Sequence, residues 1–258
     1  MPILPAREPL PTRVDGLPEL SPEYGHALDA GLIDLGLTLT PEARVAIDGQ
    51  ARLLLAWTEA VNLTAIRAPA DVARAHVLDS LTAVTTMRDR GIDTFLDLGS
   101  GGGYPGFPLA AVLPAAQALL VEPTAKKARF LETVVEATAA PGIQVANVRA
   151  EALAKDRDHR GRWPAVTARA VASLADLVEL SFPLLMPGGV LIAWKRGDLV
   201  DEVTTARRAI EAMGGGTIAS VESHLEGLEG HRLVLVTTRG RVPSAYPRDP
   251  AARKRRPW

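Results

Sequence analysis

From Gly91 onwards, short apolar segments typical of β-strands alternate with alanine-rich segments typical of α-helices. The strand-like segments are residues 94–98, 118–121, 143–148, 165–168 and 190–194, and the helical ones include 125–139, 174–185 and a stretch near 199–213. Because strands joined through helices lie parallel with right-handed crossovers, this alternation predicts an α/β fold built on a parallel sheet. Two last strand-like runs, 217–221 and 233–238, have no helix between them and could close the sheet as an antiparallel hairpin.

A glycine-rich loop follows the first strand, in the sequence Asp97-Leu-Gly-Ser-Gly-Gly-Gly-Tyr-Pro-Gly106. Glycines at this point let the backbone turn sharply and let a ligand approach it closely. Counted from Gly99, the dinucleotide pattern G-x-G-x-x-G is not met, because its third glycine would fall on Tyr104. The phosphate-binding pattern G-x-x-x-x-G-K-[ST] is also missing from the sequence. The glycines alone could equally form nothing more than a tight turn.

Two acidic residues favour a ligand over a simple turn. Asp97 lies two residues before Gly99, and Glu122 follows the second strand. Ligands of open α/β sheets bind at the carboxyl ends of the strands, where a carboxylate can accept hydrogen bonds from both ribose hydroxyls. The pattern therefore favours S-adenosylmethionine over NAD or ATP.

The chain has 258 residues, a net charge of −1 and no cysteine. The lack of cysteine excludes disulfides, thiolate metal sites and cysteine nucleophiles. The charge is unevenly distributed, since residues 239–258 contain seven basic residues and one acid, or +6. Such a tail is typical of proteins with anionic partners. The most apolar stretch, residues 109–121, is too short to span a bilayer, and we expect a soluble, cytoplasmic protein without membrane contact.

The N-terminal part differs from the alternating region. Residues 1–25 contain six prolines and predict a disordered or loosely docked arm. Thr40, Pro41 and Glu42 form a typical helix start, and a second helix is expected over about 69–88. We therefore divide the chain into an arm (1–25), a helical cap (26–92), a core (93–240) and a basic tail (241–258).

An ordered set of motifs resembles the family of bacterial small-subunit ribosomal RNA methyltransferase G, also called glucose-inhibited division protein B. Besides the glycine-rich loop, the motifs are Asn62-Leu-Thr64, His76-Val-Leu-Asp79-Ser-Leu81, Lys126-Lys-Ala-Arg-Phe-Leu131, Arg149-Ala-Glu151, Arg169-Ala-Val-Ala-Ser-Leu174, Trp194-Lys195 and Tyr246-Pro-Arg248. Together they cover roughly residues 37–257 in the family's order. The set is specific although each single motif is weak.

The resemblance implies a Rossmann-like class I methyltransferase, with a mostly parallel seven-stranded sheet, helices on both faces and an N-terminal helical cap. It implies methyl transfer from S-adenosylmethionine to N7 of a guanine in 16S ribosomal RNA. We expect no metal, because the His76–Asp79 pair has no third ligand at a supporting spacing. The implied cofactor-binding residues are Gly99, Tyr104, Glu122, Pro123, Thr124, Ala150, Glu151 and Arg169. It assigns no catalytic residue. The chain departs from the family where Glu122-Pro123-Thr124 replaces the usual Asp-Ser, and where Thr58 replaces the usual Asn after Trp57.

The remaining residues are compatible with this chemistry. Methylation of pyrimidine carbon-5 usually needs a cysteine, and the exocyclic amine of adenine usually needs an Asn/Asp-Pro-Pro-Tyr loop after the fourth strand. This chain has no cysteine and has Ala168-Arg169-Ala170-Val171 at that loop. Guanine N7 carries a free lone pair and no proton, so it needs positioning more than a general base.

Other polar residues have competing interpretations. His76 and Asp79 share a helix face, either as a polar cluster beside the site or because Asp79 fixes the Asn62-Leu-Thr64 loop. Arg169, and less strongly Lys195, would follow strand ends, where either could hold a ligand. The residues Lys126, Lys127 and Arg129 alone indicate a solvated helix face.

Two alternatives stay open, a methyltransferase of another substrate and a non-catalytic ribosome-assembly factor. We expect 16S rRNA or the 30S subunit as the partner of a monomeric protein. In this interpretation the basic tail contacts phosphates. Deleting residues 249–258 is then predicted to weaken RNA binding and leave cofactor affinity nearly unchanged.

Overall fold

The computed structural model describes residues 9–113 and 115–258, which form one seven-stranded sheet flanked by helices. The strands are β1 (Thr94–Leu98), β2 (Gln117–Val121), β3 (Ile143–Ala146), β4 (Trp163–Arg169), β5 (Leu185–Arg196), β6 (Gly216–Glu222) and β7 (His231–Thr238). Their order is β3-β2-β1-β4-β5-β7-β6, and β7 is antiparallel to both its neighbours. The predicted parallel sheet with a closing antiparallel hairpin is confirmed.

Helices cover both faces of the sheet. They are α1 (Pro22–Asp34), α2 (Pro41–Val61), α3 (Pro69–Val72), α4 (Asp79–Leu81), α5 (Val84–Asp89), α6 (Gly106–Val112), α7 (Ala125–Ala137), α8 (Ala150–Leu153), α9 (Leu174–Ser181), α10 (Val200–Ala212) and α11 (Pro250–Arg255). A π-helical segment, Ala73–Leu78, joins α3 to α4. Alternate residues of β1 enter different cores, since Phe95 packs with the N-terminal helices and Leu96 packs with α9 and α10.

The strand order fixes where a ligand can bind. The chain leaves β1 towards β2 on one side, and β4 pairs on the other side of β1. The connections run in opposite directions from this point, and in open parallel sheets such a switch opens a crevice at the carboxyl ends of the strands. The glycine-rich loop after β1 lies at that crevice.

The described part of the N-terminal arm is docked on the cap. The Trp57 indole donates a hydrogen bond to the Pro11 carbonyl oxygen at 2.7 Å, and the Arg52 guanidinium donates to the carbonyl oxygen of Pro18 at 3.0 Å. Helix α1 begins at Pro22, so the predicted boundary at residue 26 is too late. A proline suits the first helical position because the N–H there needs no partner, so Pro22 starts a helix and does not signal disorder. The prediction for residues 1–8 lies outside the described residues.

The predicted second cap helix over 69–88 is interrupted. Its middle is the π-helical segment 73–78, and a break follows α4 before α5 begins at Val84. A π-segment shifts the side chains that follow it around the helix axis, and such segments are often found at functional sites. Here it contains His76 and directly precedes Asp79.

Candidate active site

The glycine-rich loop has no room for a side chain at Gly99 or Gly103. Gly99 (φ +70°) and Gly103 (φ +89°) both have left-handed backbone conformations. A Cβ atom on Gly99 would lie 2.7 Å from Val171 Cγ2, and one on Gly103 would lie 2.5 Å from Gln50 Nε2. Gln50 in turn donates a hydrogen bond to the Gly102 carbonyl oxygen at 2.9 Å, which ties the loop to α2. The loop is therefore a rigid turn beneath the cap.

Asp97 is a structural residue of this loop. Its carboxylate is fully buried, and it accepts hydrogen bonds from the Thr167 hydroxyl at 2.7 Å and from the Gly106 backbone N–H at 3.3 Å. Burial raises the pKa of Asp97, although its hydrogen bonds to Thr167, Ser100 and Gly106 act in the opposite direction. Asp97 joins β1, β4 and the start of α6. Its carboxylate therefore fixes the loop from within the protein.

Glu122 holds the outer side of the loop. Its Oε2 accepts the Gly101 N–H at 3.0 Å and its Oε1 accepts the Thr124 N–H at 2.8 Å. Each carboxylate oxygen keeps further acceptor capacity, since it has two lone-pair sites. Two fixed acceptors at a strand end fit the two hydroxyls of a ribose. The ribose role of Glu122 stays a prediction.

Two cavities lie at the carboxyl ends of the strands, and Gly99 and Ala172 line both of them. The smaller cavity has a volume of about 470 Å³ and the larger about 720 Å³. Of the predicted cofactor residues, the smaller cavity is lined by Gly99, Pro123, Ala150 and Glu151, and the larger by Gly99, Tyr104 and Arg169. Volumes of a few hundred Å³ are typical of small-molecule sites. An elongated ligand could pass from one cavity to the other beside Gly99.

Like Glu122, Thr124 lines neither of the two cavities. It precedes α7 in an extended conformation, and its side chain is exposed. Its backbone N–H helps to hold the Glu122 carboxylate. A direct contact of Thr124 with the cofactor stays a prediction.

A network of polar residues centred on Asp79 forms one wall of the larger cavity. Asp79 Oδ2 is 2.9 Å from Arg169 Nη1, and Asp79 Oδ1 is 3.1 Å from His231 Nδ1. The Trp194 indole donates to the Asp79 backbone carbonyl oxygen at 2.7 Å. Asp79 is buried, and a buried carboxylate that lost these partners would be strongly destabilising. The network fixes the Arg169 guanidinium at the end of β4.

His76 extends this network towards the cap. Its Nδ1 lies 3.2 Å from Arg169 Nη2, and its Nε2 lies 2.7 Å from Thr64 Oγ1. The His76 ring stacks on Tyr104 with 4.7 Å between ring centroids, and Arg169 lies 5.6 Å from the centre of the Tyr104 ring. Burial, and then the positive charge of Arg169, lower the pKa of His76 to about 4. The imidazole is neutral at neutral pH.

These contacts decide between the two interpretations of the His76–Asp79 face. The first interpretation is confirmed, because the two residues belong to a polar cluster beside the larger cavity. The alternative, that the Asp79 side chain fixes the Asn62-Leu-Thr64 loop, is wrong, because His76 makes that contact. Lys195 is held as well: its Nζ donates to the Ala172 carbonyl oxygen at 2.9 Å and forms an ion pair with Glu202.

The basic tail packs over the smaller cavity. Arg253 forms an ion pair with Glu151, and Pro250, Arg253, Lys254 and Pro257 line the cavity opposite the strand ends. Deleting 249–258 would remove part of this cavity wall, so the structure gives no support to the prediction that cofactor affinity would stay nearly unchanged. A run of basic residues is typical of a solvated segment, and nothing local in the sequence indicates its docking.

A second ion pair fixes the start of the tail. Arg248 donates to both carboxylate oxygens of Glu179, whose side chain is fully buried, and the Trp258 indole donates to the same carboxylate at 2.7 Å. Burial alone would raise the pKa of Glu179, but the hydrogen bonds from Arg248 and Trp258 lower it overall. The tail is thus attached at both ends to the helices of the core.

Several site residues were not predicted from the sequence. His231, Arg253 and Glu179 find their partners 152, 102 and 69 positions away along the chain, respectively. No local periodicity indicates such contacts. Trp194 belongs to a family motif, and this resemblance is the one signal for it in the sequence.

Within residues 9–113 and 115–258, no group of three or more His, Asp or Glu side chains is arranged to hold a metal ion. No helix of the same residues has the length and apolarity needed to cross a membrane.

Known structures share this architecture. The fold superposes on an O-methyltransferase from Bacillus cereus in complex with SAH with a TM-score of 0.57, at 16% sequence identity over 82% of this chain and 97% of that one. A putative O-methyltransferase from Klebsiella pneumoniae gives a TM-score of 0.53 at 16% identity, over 83% and 97% of the two chains. The predicted Rossmann-like methyltransferase fold is confirmed.

Sequence comparison is more specific. The family model of rRNA small subunit methyltransferase G (GidB) matches residues 46–229. The ribosomal RNA small subunit methyltransferase G of Dehalococcoides mccartyi strain CBDB1 is 38% identical over 219 residues, which cover 84% of this chain and 93% of that protein. The protein of the same name from Chloroflexus aggregans is 39% identical over 204 residues, or 79% and 85% of the two chains. This chain belongs to the rRNA small subunit methyltransferase G family.

Proposed function

We propose that this enzyme transfers the methyl group of S-adenosylmethionine to N7 of a guanine in 16S ribosomal RNA. Membership of the family makes it an rRNA methyltransferase, with S-adenosylmethionine as methyl donor. The target atom and the choice of 16S RNA are the proposed part. The partner is 16S rRNA, free or in the 30S particle, and we take the working unit to be a single chain in the cytoplasm.

The residues around the two cavities fit S-adenosylmethionine. Glu122 offers two fixed acceptors for ribose hydroxyls, and the smaller cavity beside it has the apolar wall of Val121, Pro123 and Ala150 that an adenine ring needs. Arg169 uses three of its N–H groups on Ala75, Asp79 and His76, which leaves two for an anion such as the amino-acid carboxylate. When bound, S-adenosylmethionine supplies an electrophilic methyl group on its sulfonium.

The observation that best supports guanine N7 is the state of Asp79. This buried carboxylate in the wall of the larger cavity is bonded on one oxygen to Arg169 and on the other to His231, so it is not free to remove a proton. His76 is neutral and its Nδ1 accepts from Arg169, so it is not free either. Guanine N7 attacks without losing a proton, and it needs only orientation and exclusion of water.

The charge distribution supports an RNA substrate. On α11, Arg253 is paired, but Lys254, Arg255 and the adjacent Arg256 are exposed. Exposed cations beside a methyl-donor site can hold the phosphates of a strand whose base enters the larger cavity.

The experiment is a transfer assay with labelled S-adenosylmethionine. Purified protein is incubated with 16S rRNA, and separately with 30S particles, from cells that lack this enzyme, and the RNA is digested to nucleosides. We expect label in 7-methylguanosine. Label in a methylated adenosine or pyrimidine, or in no nucleoside of either substrate, would contradict the proposal. A reaction without the protein is the control.

A further inference from the structure

Thr64 lies in the segment between α2 and α3 and lines the larger cavity. Two groups approach its hydroxyl oxygen. The Ile66 backbone N–H donates to Thr64 Oγ1 at 3.0 Å, and His76 Nε2 lies 2.7 Å from the same oxygen. The direction of the second hydrogen bond depends on which nitrogen of His76 carries the proton.

Arg169 determines that proton's position. Its Nη2 is 3.2 Å from His76 Nδ1, and a guanidinium has N–H donors and no acceptor. His76 Nδ1 must therefore be the unprotonated nitrogen that accepts. Because the imidazole is neutral, its single proton is on Nε2, which donates to Thr64.

The Thr64 hydroxyl can consequently only donate a hydrogen bond to a ligand. A hydroxyl oxygen can accept two hydrogen bonds and donate one. Both accepting positions are used, by Ile66 and His76, so the hydroxyl proton is what remains. Thr64 is a half-buried donor at the cavity wall that cannot accept a further hydrogen bond.

Other donors in this cavity are less suited to read a base, since we assign the two remaining N–H groups of Arg169 to the carboxylate of the cofactor. The Lys195 ammonium is held by Glu202 and Ala172, and the Tyr104 hydroxyl is enclosed by protein. The Ser100 hydroxyl donates to the Asp97 carbonyl oxygen at 3.1 Å. Arg196 and Lys127 also line the cavity, but they are long and flexible cations at its edge, better suited to phosphates.

We infer that Thr64 selects guanine by donating a hydrogen bond to O6 of the target base. This inference rests on the proposed function. Guanine presents two adjacent acceptors on one edge, N7 and O6, whereas adenine presents N7 beside an amino group. If N7 faces the methyl donor, the neighbouring O6 meets a hydroxyl that can only donate. With adenine in the same position, the amino group and the Thr64 hydroxyl would face each other as two donors without an acceptor. Adenine would therefore be disfavoured, although its N7 also carries no proton.

The test combines protein variants with substrate analogues. The wild type, Thr64→Val, Thr64→Ser and Thr204→Val are compared on an RNA fragment that carries the guanine mapped with the wild-type protein. A second fragment has 2-aminopurine at that position, which keeps N7 and lacks O6. Thr204 is the control because its exposed hydroxyl donates to the Val200 carbonyl oxygen on α10, away from the cavity. Cofactor affinity of every variant is measured by equilibrium dialysis to show that the site is folded.

On the guanine RNA we expect Thr64→Val to lower kcat/KM about tenfold, the effect of one lost hydrogen bond, while Thr64→Ser and Thr204→Val remain close to the wild type. On the 2-aminopurine RNA the wild type and Thr64→Val should be equally slow. Equal rates of the two proteins on guanine RNA, or the same tenfold difference on both RNAs, would overturn the inference. A wild type that forms no N7 product would instead overturn the proposed function, and the inference with it.

Discussion

At the scale of single residues, Asp79 connects three separate parts of the chain. It binds Arg169 at the end of β4, His231 at the start of β7 and, through its carbonyl oxygen, Trp194 of β5. The sequence predicts a polar cluster from the spacing of His76 and Asp79. It does not predict the partners, because a helical period carries no information on contacts across a sheet.

We predict that Asp79→Asn weakens both stability and activity. The uncharged amide keeps the size of the side chain but leaves Arg169 without its buried counter-charge, which destabilises the fold by about 3 kcal/mol. Urea unfolding measures this loss, and the transfer assay should show at least a tenfold slower reaction, because Arg169 is no longer fixed. The exposed Asp89→Asn is the control. An Asp79→Asn variant with wild-type stability and rate would refute the structural role.

His76 gives a prediction on pH. Its pKa is lowered to about 4 in the folded protein, mainly by burial, while an unfolded histidine has a pKa of about 6.5. Between these values the unfolded state binds more protons, so stability from neutral His76 is complete above about pH 6.5 and falls as the pH approaches 4. In NMR spectra, the His76 ring signal should not titrate between about pH 5.5 and 8. A titration midpoint near 6.5 would show that the ring is not held neutral.

Gly103 tests the rigidity of the loop. In Gly103→Ala the new Cβ meets Gln50 Nε2 at 2.5 Å in addition to the strain of a positive φ. Gly161→Ala is a matched control, since Gly161 has a φ of +68° and a Cβ added there would meet no atom within 4 Å. We expect the control to cost about 1 kcal/mol, and Gly103→Ala to cost more and to weaken cofactor binding. Equal losses in the two variants, measured by unfolding and dialysis, would show that the contact has no effect.

At the scale of elements, the strands are predicted closely because each is a short apolar run bounded by glycine or polar residues. The run 94–98 coincides with β1, and the others differ from the observed strands mainly at their ends. The tail is the main exception. Its docking depends on the pairs Arg248–Glu179 and Arg253–Glu151, which join distant parts of the sequence and have no local pattern.

Helix α11 combines two functions that separate variants can distinguish. Arg253→Gln should weaken cofactor binding, because it removes the partner of Glu151 beside the smaller cavity. The double variant Arg255→Gln/Arg256→Gln removes two exposed charges and should weaken RNA binding, lowering the slope of log affinity against log salt by about one to two units. Dialysis and salt-dependent RNA binding measure the two effects. Reduced cofactor affinity in the double variant, or an unchanged salt slope, would contradict this division.

At the scale of the whole molecule, the net charge of −1 is the sum of +6 in residues 239–258 and −7 in the rest of the chain. The sheet brings the glycine-rich loop, Arg169 and the cap residues His76 and Thr64 to one end of the molecule, and the tail closes the adjacent side. The order of the motifs in the sequence predicts this family and fold. The packing of the C-terminal tail over the smaller cavity could not be predicted, since it depends on contacts between the tail and distant residues of the core.

The most direct measurement for the whole account is the position of the methyl group in the RNA. After transfer by the purified protein, 16S rRNA is treated chemically to cleave the strand at N7-methylguanine, and primer extension locates the break. We predict a new break at one guanine, which needs S-adenosylmethionine and is lost with Asp79→Asn. RNA that incorporates label but shows no such break would contradict the assignment of guanine N7.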